Sequence, residues 1–129
     1  MLRKTTLLAG LATFLISTPA QAAEHQILVL PDAYFPQTSY VSAGDTLKFI
    51  NESEEAITVT SIDAQWTTGS LVNLEESVIT VVVGMTTDFI HEGIEDENGD
   101  PAVRGIISFI EAPLDKATAN TEVEVEGTD

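Results

Sequence analysis

Residues 34–51 read YFPQTSYVSAGDTLKFIN, and the fold is read outward from this stretch. Pro36, after Tyr34-Phe35, ends one extended segment, and Ser42-Ala43-Gly44-Asp45 has the composition of a tight turn. Thr46-Leu47-Lys48-Phe49-Ile50 then alternates polar and apolar residues, the period-2 pattern of a strand with one face in a core. Upstream, His25 to Leu30 is an apolar and β-branched run closed by Pro31, and Thr38 to Val41 is a short strand before the turn. Downstream, Asn51 to Glu55 is a turn too charged to bury. Ala56 to Ile62 reads as a strand with Ile57, Val59 and Ser61 on one face and Thr58, Thr60 and Ile62 on the other. Glu76 to Val83, Thr87 to His91 and Val103 to Ile110 complete about seven strands, with turn signals at the spacing of an antiparallel β-sandwich. Asp63 to Glu75 is less regular: Trp66 to Leu71 reads as a loop crossing one end of the sandwich, with Trp66 as a core plug or edge cap. No helical period survives over a useful length.

The first 22 residues have the form of an export leader. Arg3 and Lys4 precede an apolar run, Leu7 to Ile16, that is too short to span a bilayer. Ser17-Thr18-Pro19 breaks the run before Ala20-Gln21-Ala22, a small-x-small cleavage pattern. Cleavage after Ala22 gives a periplasmic chain of one domain, residues 23–111, followed by an acidic tail, residues 112–129, that we read as mobile. That chain keeps Lys48, Arg104 and Lys116 as its only cations against 21 carboxylates, a formal charge of −18. Such a balance excludes nucleic acid and anionic membrane surfaces as partners, because both need clustered Lys and Arg. It suits a soluble protein or one that meets a basic partner. With no cysteine in the chain there is no disulfide and no thiolate ligand, so stability must come from sheet packing.

The pattern F-P … V-x-A-G-D-T-x-x-F-x-N over residues 35–51 resembles the opening strands of the cupredoxins, and the likeness extends over residues 25–111. The resemblance implies an all-β, antiparallel Greek-key β-sandwich. It also implies where a type 1 copper site would lie: two imidazoles, a thiolate and a thioether. In the family one histidine follows the F-x-N strand just before a Thr-Val pair. Here Ala56-Ile57-Thr58-Val59 matches that segment, with Ile57 at the histidine position. The family's C-terminal ligand run is matched by Gly84 and Phe89 on the approach and by Gly105, Ile106 and Phe109 on the exit. His91 or Ile90 falls at the cysteine position and Val103 near the methionine position. Type 1 blue copper is therefore excluded by the absence of cysteine, and the resemblance is to a cupredoxin whose copper centre is degenerate.

Four features still carry chemical potential. His91 ends a strand beside Glu92, where the family opens its metal loop; a lone imidazole is not a site, and a partly exposed His91, salt-bridged or simply solvated, is the plainer expectation. Asp96, Asn98 and Asp100 in the acidic loop 92–100 alternate as in the first half of a calcium loop. Pro101 and Ile107 stand where the glycine and closing glutamate belong, so a solvated turn or a docking surface for a basic protein is expected. Third, cleavage after Ala22 exposes Ala23-Glu24-His25, whose amine, two amides and imidazole suit square-planar Cu(II) or Ni(II). A hydroxyl–His91–Asp88 relay is disfavoured because residues three apart on a strand face opposite sides. The sequence thus points to a non-enzymatic exported binding or accessory domain with no resident cofactor. The alternative is a copper-binding or copper-handling protein using metal ligands His91, His25 or both.

Overall fold

Alternation in residues 46–51 becomes geometry: Leu47, Phe49 and Asn51 are buried while Thr46, Lys48 and Ile50 are half-buried on the other face. The computed structural model describes residues 21–113, so most of the leader and the tail from residue 114 lie outside the described residues. Nine strands are present among the described residues: β1 (Glu24–Val29), β2 (Tyr34–Phe35), β3 (Thr38–Tyr40), β4 (Thr46–Asn51), β5 (Ile57–Ser61), β6 (Thr67–Leu71), β7 (Glu76–Thr80), β8 (Asp88–His91) and β9 (Arg104–Ser108). The described residues contain no helix. A four-stranded sheet in the order β2-β1-β4-β7 packs on a five-stranded sheet in the order β3-β9-β8-β5-β6.

Both sheets are mixed, which refines the expected antiparallel sandwich. β1 pairs β4 in parallel, Glu24 opposite Thr46 through Val29 opposite Asn51, and β3 pairs β9 in parallel. The cause is the path of the chain between β1 and β4. After β1 and its partner β2, the chain crosses to the opposite sheet as β3 and returns through the Ser42–Asp45 turn beside β1. A parallel pair needs such a crossover, since a hairpin gives only the antiparallel one. Gly44 adopts a φ of 93° in that turn, a conformation open to glycine. The turn is closed by an Asp45 N–H donation to the Ser42 carbonyl at 3.1 Å and by a Ser42 N–H donation to Asp45 Oδ2 at 2.9 Å.

Two strands carry no signature in the sequence. The expected loop over 67–71 is the edge strand β6, which pairs β5 from Ile57 opposite Leu71 to Thr60 opposite Thr67 with a register shift between Thr58 and Thr60. Its Thr67-Thr68-Gly69-Ser70 run lacks an apolar alternation because an edge strand outside the core needs little. The two-residue β2 is the end of the extended segment before Pro36, too short to show an alternation of its own. The anticipated strand 76–83 stops at Thr80, where β7 runs out of partner residues on β4.

Between the sheets lie Ile27, Val29, Leu47, Phe49, Val59, Phe89 and Ile107, each at most 2% exposed. Burying side chains of this size contributes about 1.5–3 kcal/mol apiece. Aromatic rings form a contiguous chain through this core. Phe49 meets Phe89 edge-on at 5.4 Å, Trp66 covers both at 5.9 and 5.8 Å, and Tyr34 meets Phe89 at 4.7 Å. Trp66 is the expected plug: its ring is partly buried and its indole N–H donates to the Thr86 carbonyl at 2.9 Å.

Candidate functional site

Four positions matched to the family's ligand set come from three parts of the chain. Ile57 opens β5, Ile90 and His91 end β8, and Val103 precedes β9. The loop leading to Ile57 is braced by Asn51, buried at the end of β4, which serves it as a hub. Its Nδ2 donates to the Glu55 carbonyl at 2.8 Å and the Leu71 carbonyl at 2.7 Å, and its Oδ1 accepts the Ser53 N–H at 2.8 Å. Ser53 Oγ donates to the Glu55 carbonyl as well, and Asn73 Nδ2 to that of Ser53. Delivered by this loop, Ile57 is 7% exposed and belongs to the hydrophobic core, as does Val103 at 5%.

His91 is 1% exposed, not the partly solvated side chain expected from the sequence. The reason is strand parity. Phe89 faces the core in a strand flanked on both sides by β5 and β9, so His91, two residues on, must face it too. The Tyr34 ring stands edge-on to the imidazole at 4.6 Å. The His91 backbone N–H makes a long donation to the Val103 carbonyl at 3.4 Å. Neither ring nitrogen has a hydrogen-bond partner among the described residues, and the same holds for the Tyr34 hydroxyl. Burial pushes the His91 pKa down to about 4 against a weaker opposing pull from the Asp32 carboxylate, so the ring is neutral near pH 7. A cleft of about 190 Å³ lies nearby, lined by Asp32, Tyr34, Gln37, Val103 and Arg104.

Asp88 is exposed and on the opposite side of β8, so the relay to His91 is not assembled. In the acidic loop, Asp96 Oδ1 accepts the N–H groups of Asn98 at 2.8 Å and Asp100 at 3.1 Å, while the Asp96 N–H donates to the Asp100 carbonyl at 2.7 Å. Asp96 thus closes a turn of its own backbone, and Glu92 to Asp100 are all exposed. Among the described residues, no three His, Cys, Asp or Glu side chains gather in a metal-binding group.

His25 lies elsewhere. It is near the start of β1, opposite Leu47, whereas Tyr34, which covers His91, pairs with Val29 at the far end of that strand. Four residues of strand separate the two regions, about 13 Å at the usual rise. The His25 Nε2–H donates to Asp45 Oδ2 at 2.9 Å, and the Ala23 N–H donates to Asp45 Oδ1 at 3.0 Å. Hydrogen bonds from Ser42, His25 and Ala23 hold the Asp45 carboxyl well below its ordinary pKa, at about 2. The sequence alone shows Asp45 only as a turn residue; its role in gathering the N-terminal segment depends on the parallel β1·β4 pairing, which no local pattern announces.

Two solved structures share this arrangement of strands. A Cu-containing nitrite reductase (NirK) from Thermus scotoductus SA-01 matches with a TM-score of 0.53 and 20% identity, over 77% of this chain and 25% of that one. A reduced Cu(I) form at pH 4 of an amicyanin mutant, with glycine in place of one proline, matches with a TM-score of 0.53 and 17% identity, over 69% of this chain and 83% of that one. The domain is cupredoxin-like. The chain accordingly spans about a quarter of the nitrite reductase chain it resembles, and at these identities the likeness is one of fold. No family model matches the sequence, and no curated protein matches it.

On this cupredoxin-like frame the residues present do not fit a type 1 copper. Ile57 and Val103 offer hydrocarbon where imidazole and thioether belong, no thiolate exists in the chain, and His91 turns its ring into the core.

Proposed function

We propose that this chain is an exported, non-enzymatic binding or accessory domain that keeps the cupredoxin sandwich without a blue-copper centre. One observation carries the reading: the residues at the family's ligand positions are packed as core, Ile57 and Val103 buried and the neutral ring of His91 buried edge-on to Tyr34. A group that must accept a metal or a substrate needs a lone pair facing an opening, and His91 has none. Export is supported by the form of residues 1–22. The surface best suited to a partner is the loop 92–100, which carries Glu92, Glu95, Asp96, Glu97 and Asp100 without a cation and stands fully exposed, so the partner would be a basic protein.

The test is a pull-down of basic exported proteins at low and high salt, using the wild type, His91→Ala and a chain with Glu95, Asp96 and Glu97 all replaced by Gln. Binding that weakens with salt, is lost in the triple variant and is unchanged in His91→Ala is the expected result. Binding that depends on His91 would contradict the reading. A second reading, copper handling through His25 or His91, gains support from one observation at His25 alone: its ring nitrogen and the Ala23 nitrogen share the Asp45 carboxylate.

A further inference from the structure

We propose that removal of residues 1–22 completes a divalent transition-metal site formed by the Ala23 α-amino nitrogen, the His25 imidazole and the Asp45 carboxylate. The proposal rests on the export reading above and goes beyond it by adding Asp45 and by assigning a different donor set from the Ala23-Glu24-His25 backbone. Its basis is convergence. The Ala23 nitrogen is 3.0 Å from Asp45 Oδ1 and His25 Nε2 is 2.9 Å from Asp45 Oδ2. Two donors bound to one cation at the usual lengths stand about 3 Å apart, so each nitrogen already stands at neighbouring-ligand distance from one oxygen of the carboxylate they share.

In the unprocessed chain the Ala23 nitrogen is an amide and can only donate. Hydrolysis of the Ala22–Ala23 bond adds hydroxyl from water to the Ala22 carbonyl and hydrogen to the Ala23 nitrogen, which becomes an amine with a basic lone pair. When a cation binds, the terminal ammonium releases its proton to solvent. His25 moves its proton to Nδ1 and presents Nε2. Two nitrogens and one carboxylate are a borderline donor set that suits Zn(II), Cu(II) or Ni(II) more than Ca(II) or Mg(II).

The surroundings favour a built site. The Asp45 carboxylate is oriented independently of both nitrogens by the Ser42 N–H at 2.9 Å, a backbone support from its own turn. Its side chain is 12% exposed, while that of His25 is 30% exposed, which leaves an approach for an ion. Ala23 is itself fixed, because its carbonyl accepts the Thr46 N–H at 2.9 Å. The rival square-planar mode needs deprotonated amides of Glu24 and His25. Both residues are paired with β4, opposite Thr46 and Leu47, so that mode has to peel the start of β1 from the sheet.

The experiment takes the exported protein, fixes its first residue by denatured mass and titrates it with Zn(II) and Cu(II) by calorimetry and native mass spectrometry. The expected result is one equivalent held by a chain beginning at Ala23, with affinity reduced at least tenfold in Asp45→Asn and in His25→Gln. His91→Ala leaves it unchanged and the chain retaining residues 1–22 lacks it. Circular dichroism of each variant separates a lost site from a lost fold, and Asp45→Glu, which keeps the carboxylate, retains part of the affinity. A folded chain beginning at Ala23 that holds no metal, or holds copper equally well in Asp45→Asn with a four-nitrogen paramagnetic resonance spectrum, overturns the site and leaves the export reading standing. A mature chain beginning at another residue removes the amine donor and overturns the proposal at its premise.

Discussion

At His91 the domain carries a neutral imidazole with two unpartnered nitrogens inside a hydrocarbon wall, and this ties its stability to acid. The unfolded chain binds a proton at this ring near pH 6.5, whereas the folded chain does so only near pH 4. Between those values the unfolded state holds more protons, so stability falls as pH drops from 6.5 to 4, by roughly 3 kcal/mol. Urea midpoints measured across that window show the loss, and His91→Met, which fills a similar volume without orphaned nitrogens, flattens it. The same variant gains about 1–2 kcal/mol at pH 7, since an unsatisfied buried polar group is removed. Asp45 acts in a lower window. Its folded pKa of about 2 lies below the unfolded value of 3.8, so the stability it supplies is full above pH 3.8 and is lost as pH falls toward 2. In Asp45→Asn this second acid step disappears from the titration. Parity made the burial of His91 legible, because the sequence shows Phe89 two residues before it. What hid it was the expectation that a histidine next to the acidic loop turns to water.

Among the elements, the seating of the Phe89 ring of β8 over β9 depends on one residue. Gly105 lies opposite Phe89, and a Cβ there would run into the Phe89 ring. Gly105→Ala is expected to cost at least about 2 kcal/mol, read from urea unfolding, because the ring is already packed against Tyr34, Phe49 and Trp66. The strands that the sequence disclosed most clearly are those with one buried and one half-buried face, such as β4 and β5, where alternation records the core directly. β6 was hidden because its exposure pattern, with only Leu71 buried, leaves no apolar period. The parallel pairing of β1 with β4 was hidden for a different reason: pairing direction depends on a crossing between sheets, and no strand's own residues encode it.

For the whole molecule, acidity is the dominant long-range term. The full chain carries 21 carboxylates and five cations. Among the described residues, Lys48 is the one lysine or arginine within an ion pair, 3.4 Å from Glu24 and 3.7 Å from Glu76. Self-repulsion of this size opposes compaction, so added salt is expected to raise the thermal midpoint by screening it, and a midpoint that is flat or falls with sodium chloride would contradict that. At one end of this cupredoxin-like sandwich, His91 is buried and neutral. Nitrogen-15 NMR of the imidazole rings during a pH titration, repeated with one equivalent of Zn(II), tests it most directly. The account predicts that the His91 ring stays neutral until about pH 4 and that its resonances do not move with zinc. A ring that protonates near pH 6.5, or shifts on adding zinc, would mean that His91 opens to solvent and that the metal end of the sandwich is not closed.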